Sequence, residues 1–153
     1  MTVAALDGMG PLHHVGIAVP SLEEALPFWR DTLGYRATEP REVPGTGVRL
    51  CFLECGAARI ELVEALDPDS GIGRFVAERG RPTLHHVCFE VADLAVALAE
   101  LAARGHRLID LVPRAGAEGM VAFLHPSVAG GVLVELLEAE VSADRRGTGI
   151  HTR

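Results

Sequence analysis

Short apolar runs, each ended by turn residues, follow one another along this chain in an order that occurs twice. Residues 12–19 are apolar and β-branched and stop at Pro20, which predicts a strand. Ser21 with Glu24 beyond it forms a capping box, and Leu22, Ala25, Leu26, Trp29 and Leu33 follow at helical spacing. The pattern predicts a helix to about Leu33, stopped by Gly34 and loosened at Pro27, whose ring clashes with the turn before it. Residues 48–53 and 59–63 predict two strands, and 36–38 a shorter one leading into a Pro- and Gly-rich loop over 40–47.

The series then starts again. Residues 84–91 predict a strand and 93–104 a helix, with Asp93 as its cap and Gly105 as its terminator. Three further strands are expected near 107–111, 120–124 and 131–137. Between the two series Ser70 precedes Ile72, Phe75 and Val76, the marks of a short linker helix within 69–80. Each series is β-α-β-β-β, so the expected class is α+β: two tandem βαβββ modules, 11–66 and 83–139, forming a half-open sheet around a central metal cleft. A single domain over 11–139 follows, with flexible termini at 1–10 and 140–153, where small and polar residues dominate.

Length and charge narrow the function. A chain of 153 residues buries a real core as one domain. A net charge of −7 disfavours nucleic acid or an anionic membrane surface as partner. No apolar run approaches the ~20 residues of a membrane span, and no basic segment precedes an apolar stretch at Met1 as in a secretory signal. The expected location is cytoplasmic. Cys51, Cys55 and Cys88 are an odd number without a paired CxxC motif, which points to reduced thiols rather than a zinc-thiolate centre.

The repeat carries the chemistry. His13-His14 opens the first strand and His85-His86 its counterpart, in matching text: LHHVGIAVPSLEEAL against LHHVCFEVADLAVAL. Each series also ends on an apolar strand with an embedded acid, Glu61 in the first and Glu135 in the second. An acid on the solvated face of a strand is common. A carboxylate inside an apolar one is costly unless paired or bound to a cation. Recurrence at matching positions favours convergence of His14, Glu61, His86 and Glu135 on one metal. Strand alternation puts His14 on the face of Gly16 and Ala18, where small neighbours leave room for a bound species. The same alternation turns His13 and His85 to solvent or to a dimer contact, and Glu64 and Glu138 to the surface. Two imidazoles and two carboxylates suit one divalent transition ion, Co, Ni, Mn, Fe or Zn.

From Leu12 to about Glu138 the chain resembles the vicinal-oxygen-chelate (glyoxalase and dioxygenase) superfamily, and within it the methylmalonyl-CoA epimerase family. The stretches that carry this are His13-His14-Val15-Gly16-Ile17-Ala18-Val19-Pro20, Gly47-Val48-Arg49, Ile60-Glu61-Leu62-Val63-Glu64 and Asp69-Ser70-Gly71-Ile72. His85-His86-Val87 follows, and the most specific is Phe123-Leu124-His125-Pro126 running into Gly130-Gly131-Val132-Leu133-Val134-Glu135-Leu136. The resemblance implies His14, Glu61, His86 and Glu135 as metal ligands, a homodimer, an acyl-CoA substrate, and interconversion of (2R)- and (2S)-methylmalonyl-CoA by proton removal and return at C2.

It implies a proton-transfer role for Glu135 and places Leu50 where some members carry a carboxylate. The second acid/base is then Glu61, a metal-bound water, or another acid. Arg36, Arg41, Arg49 and Arg114 are candidates to meet CoA phosphates, or are solvated surface arginines. Glu118 stands where relatives often have His, in a loop over 114–119 expected to wall the substrate site, and His125 before Pro126 is expected to be structural. Two rivals share the fold. A glyoxalase I-type lactoylglutathione lyase usually shows an Asp-Pro-Asp-Gly turn where this chain has His125-Pro126, and a non-catalytic drug binder need not keep all four ligands. An extradiol dioxygenase would want two His and one Glu around iron.

Overall fold

The computed structural model describes residues 4–140. Its strands are β1 (Met9–Ala18), β2 (Arg36–Ala37), β3 (Arg41–Val43), β4 (Val48–Cys55), β5 (Ala58–Ala65), β6 (Thr83–Val91), β7 (Arg114–Ala115), β8 (Met120–Leu124) and β9 (Val134–Glu138). They form one sheet in the order β2-β4-β5-β1-β6-β9-β8-β7, with β3 on the side of β4. The two opening strands of the modules, β1 and β6, pair antiparallel at the centre. Each then pairs in parallel with the closing strand of its own module, β1 with β5 and β6 with β9. An approximate two-fold therefore runs between β1 and β6, and the α+β duplication expected from the sequence is the architecture observed.

Alternation along the strands sorts the core into two faces. Helix α1 (Leu22–Leu26) covers the outer face of the first half, where Leu22 and Leu26 meet Cys51, Leu53 and Leu62. Helix α3 (Leu94–Ala103) covers the second half, where Leu94, Ala97 and Leu98 meet Val91, Ala122, Leu124 and Leu136. Each such leucine, taken out of water, stabilises the fold by about 1.5–3 kcal/mol. The alternate residues, Leu50, Phe52, Val63, Cys88, Val121 and Leu137, turn to the inner face and are buried there too. Glu61 and Glu135 lie on that inner face, so neither is the solvated strand acid that sequence alone allows. Helix α2 (Gly71–Arg79) links the halves and brings Ile72, Phe75 and Val76 against the inner cluster.

The caps form as expected. Ser21 accepts from Glu24 N at 3.3 Å, Ser70 from Gly73 N at 3.0 Å and Asp93 from Val96 N at 3.0 Å, each interaction contributing about 1 kcal/mol. From Pro27 the first helix widens into a π-helical turn, Pro27–Thr32, since proline offers no N–H to the regular ladder.

Five expectations are corrected. Leu33, placed in the buried stripe, is 48% exposed because the π-turn rotates it off the face. The loop at 40–47 contains β3, paired with β4 from Arg41 to Val43. Residues 107–111 form no strand: a single bridge joins Leu108 to Leu124, and Asp110 instead accepts Phe123 N at 2.8 Å. The short β7 stands nearby, and β9 begins only at Val134 because Gly130 and Gly131 hold positive φ angles of 66° and 107°. The leader is not loose throughout, since Met9 pairs with Val91. Residues 1–3 and 141–153 of the predicted termini lie outside the described residues. No helix among the described residues is long and apolar enough to cross a membrane.

Candidate metal and proton-transfer site

Two rows of residues cross the inner face at its centre, one the image of the other. In the first, Phe52 pairs with Glu61, Glu61 with Gly16, and Gly16 with His86. In the second, Phe123 pairs with Glu135, Glu135 with Cys88, and Cys88 with His14. Each module thus supplies a carboxylate and receives the other module's imidazole beside it. Phe52 meets the edge of His14 at 5.4 Å between ring centres, and Phe123 meets His86 at 5.7 Å, which fixes both imidazole planes.

The four predicted site residues come together. His14 Nε2 and His86 Nε2 are 3.0 Å apart. Glu135 Oε2 lies 3.1 Å from His86 Nε2 and 3.4 Å from His14 Nε2. Glu61 is held more loosely, with Oε2 3.6 Å from His14 and Oε1 3.6 Å from His86. All four residues are buried, between 3% and 7% exposed. An octahedral ion with bonds of ~2.1 Å separates neighbouring ligand atoms by roughly 3.0 Å. The donors fit a metal of that kind: mixed nitrogen and oxygen atoms at about the right spacing, in a site where four buried polar groups need a counter-charge. The tightest set is His14, His86 and Glu135; Glu61 stands slightly back from it.

The unequal hold separates the two acids electrostatically. For Glu135, burial pushes the carboxyl up, but hydrogen bonding with His14 and His86 outweighs it and brings the group down to about 2. For Glu61, burial dominates and raises the carboxyl, because both imidazoles are farther away. His86 is disfavoured as a cation by burial, yet its bond to Glu135 raises it overall.

The space beside Gly16 is not left for a bound species. The His86 ring fills it: a Cβ on Gly16 would lie 2.5 Å from His86 Nε2 and closer still to two other ring atoms. The open volume lies to one side, a cavity of about 360 Å³ against Glu61, His86 and Glu135 with walls that include Leu50, Val63, Ile72, Phe75 and Val121. Leu50 is 3% exposed and presents only methyl groups there.

Several neighbours depart from expectation. His13 and His85 do not face away: His13 Nδ1 is 2.7 Å from His14 Nδ1, and His85 Nδ1 is 2.9 Å from His86 Nδ1. Glu138 is no idle surface acid, since its carboxylate accepts Leu94 N at 2.8 Å and caps α3. Glu64 pairs with Arg49 at 2.7 Å. The four arginines considered for phosphates are engaged within the chain: Arg36 with Glu54, Arg41 with Glu118, Arg49 with Glu23 and Glu64, and Arg114 with Asp110. Only Arg114 among them reaches the cavity wall. His125 is structural as expected, accepting Ser127 N at the head of a short 3-10 turn, Pro126–Ala129. The Arg41–Glu118–Arg59 cluster escaped the sequence reading, since nothing local ties residues so far apart.

Residues 13–123 match the Glyoxalase/Bleomycin resistance protein/Dioxygenase superfamily. The chain belongs to this superfamily. Within the superfamily it is 41% identical over 132 residues to the mitochondrial methylmalonyl-CoA epimerase of Bos taurus, covering 86% of this chain and 75% of that one. The crystal structure of methylmalonyl-CoA epimerase from Mycobacterium tuberculosis superposes with a TM-score of 0.77 at 36% identity, over 90% of this chain and 92% of that one. A Streptomyces coelicolor methylmalonyl-CoA epimerase variant in complex with 2-nitronate-propionyl-CoA gives 0.80 at 31% identity, over 87% and 96%.

Proposed function

We propose that this chain is a methylmalonyl-CoA epimerase, interconverting the (2R) and (2S) thioesters by removing and returning the proton at C2. The observation that carries the reading is the pair of buried carboxylates, Glu61 and Glu135, flanking two imidazoles at the wall of an apolar cavity, on a chain 41% identical to a named epimerase. The substrate class is supported by the acyl-CoA analogue in the Streptomyces coelicolor relative.

His14, Glu61, His86 and Glu135 would hold one divalent transition ion (Co, Ni, Mn, Fe or Zn), which supplies positive charge that favours loss of a proton beside a thioester. Glu135 is the principal base. Both of its close contacts to the imidazoles use Oε2, so Oε1 is the oxygen turned from them and the one to accept the C2 proton. Glu61 is the second acid/base, since Leu50 brings only hydrocarbon to the cavity. The apolar walls exclude bulk water at the moment of transfer, so the proton returned to C2 comes from the carboxyl on the opposite face, and each carboxyl exchanges with solvent between turnovers. Residues 11–139 act as one domain, because both rows of the site draw on both modules. The family resemblance extends the reading to a cytoplasmic homodimer, checked by sedimentation and fractionation.

Deuterium incorporation at C2 of methylmalonyl-CoA in heavy water tests the reading. Incorporation with epimerisation is expected; activity only on methylglyoxal with glutathione would instead make the chain a glyoxalase I-type lyase.

A further inference from the structure

The first histidine of each pair has a place in the sheet that strand alternation does not predict. The β1–β6 register steps from Leu12↔Phe89 to His14↔Cys88, leaving His13 as an extra residue on β1. It steps again from Gly16↔His86 to Ile17↔Leu84, leaving His85 as an extra residue on β6. Each is the unpaired member of a β-bulge, and a bulge breaks the alternation and re-aims side chains. That is why adjacent residues meet through their rings, Nδ1 to Nδ1, at 2.7 Å in one module and 2.9 Å in the other. The first rings are themselves packed: His13 lies 6.4 Å from Phe52 between ring centres, and His85 lies 4.9 Å from Phe75, both edge to face.

Two imidazole nitrogens at such distances share one proton, so one ring donates N–H and the other accepts. Nε2 of His14 and Nε2 of His86 both face the centre of the site. An imidazole that gives its Nε2 lone pair to a cation carries its proton on Nδ1. We propose that His13 and His85 are positioning residues that accept the Nδ1–H of His14 and His86, fixing both in the tautomer that leaves Nε2 free for a cation. The proposal rests on the metal-site reading above. It gives the doubled histidine a physical basis: one imidazole faces the site, and the bulged neighbour before it orients that ring.

The test uses two readouts. Nitrogen-15 histidine spectra of the zinc-loaded protein at pH 8 report each Nδ1–H and its coupling to the neighbouring ring nitrogen, and titration with cobalt(II) reports affinity. His13→Phe and His85→Phe keep a flat ring but remove the acceptor; His13→Asn and His85→Asn restore an oxygen acceptor near the Nδ1 position. Wild type is expected to show Nδ1–H of His14 and His86 coupled to Nδ1 of His13 and His85, and each phenylalanine variant an Nδ1–H moved to the shift of an unbonded donor. Cobalt affinity should fall about 10–100-fold in the phenylalanine variants and recover in part in the asparagine variants, with unchanged circular dichroism. Phenylalanine variants with wild-type shifts and affinity would overturn the proposal, as would uncoupled Nδ1–H groups in the wild type. His14→Ala and His86→Ala test the ligand reading separately. Wild type that binds neither zinc nor cobalt would sink the metal site, whereas wild type that binds them with uncoupled rings would sink the positioning proposal alone.

Discussion

Gly16 and His86 occupy one space: the imidazole from the second module rests where the first module's residue has no side chain. The contact is made across the β1–β6 pairing, at Gly16↔His86. A methyl group there must expel the ring or part the two central strands. Gly16→Ala is expected to cost about 1–3 kcal/mol in stability from overpacking and to lower epimerase turnover at least about 100-fold by displacing a site residue. Chemical denaturation and initial rates measure the two effects. A variant with native stability and rate would mean that His86 has another place to go.

The two carboxylates are expected to fail differently. Glu135→Gln removes the proposed principal base and should slow heavy-water exchange of the epimer whose proton faces it by about 100-fold to 10,000-fold. Glu61→Gln should still exchange the C2 proton of one epimer, without inverting it, because one face keeps its base. Undiminished exchange of both epimers in Glu61→Gln would assign both steps to Glu135.

Glu118 fastens the loop between β7 and β8 to the opposite side of the cleft. Arg41 donates to its carboxylate at 3.0 Å and to Ala117 O at 2.9 Å, and Arg59, whose guanidinium lies 3.9 Å above the Phe52 ring, approaches it at 3.4 Å. Gly116 and Ala117 of the same loop line the cavity beside Ala115 at the end of β7. The pairs are partly exposed, so Glu118→Ala should cost only about 0–1 kcal/mol in stability. Its effect should fall on substrate binding: KM rising several-fold with kcat nearly unchanged. A fall in kcat at constant KM would contradict this assignment.

The thiols give a check on packing. Cys51 and Cys88 are fully buried, and burial pushes the Cys51 thiol up to about 11 and raises Cys88 as well. Cys55 is partly exposed. Titration with a thiol reagent at pH 8 should therefore label one cysteine in the native protein and all three after denaturation. Rapid labelling of Cys88 would mean that the central strands open readily.

Much of this was legible in the chain because local rules agreed with the final fold. Apolar runs of strand length, Ser21, Ser70 and Asp93 before helices, and Gly34 and Gly105 after them, act through neighbouring backbone and need no tertiary partner. The repeat supplied more: two His and two Glu at matching positions imply one point of convergence whatever the detailed path. The structure does bring His14, Glu61, His86 and Glu135 to one point.

What sequence could not decide were the features that depend on pairing partners distant in the chain. Alternation gives each side chain a face only while the register is unbroken, and the β1–β6 bulges break it at His13 and His85. Periodicity likewise could not say whether Gly16 leaves room for a ligand or for another histidine, nor that Glu138 reaches back to cap α3 and Glu118 crosses to Arg41. The sequence determined the modules and the residue types at their centre. Only tertiary pairing decided which oxygen and nitrogen atoms meet, because those distances depend on strand register and on ring packing between halves.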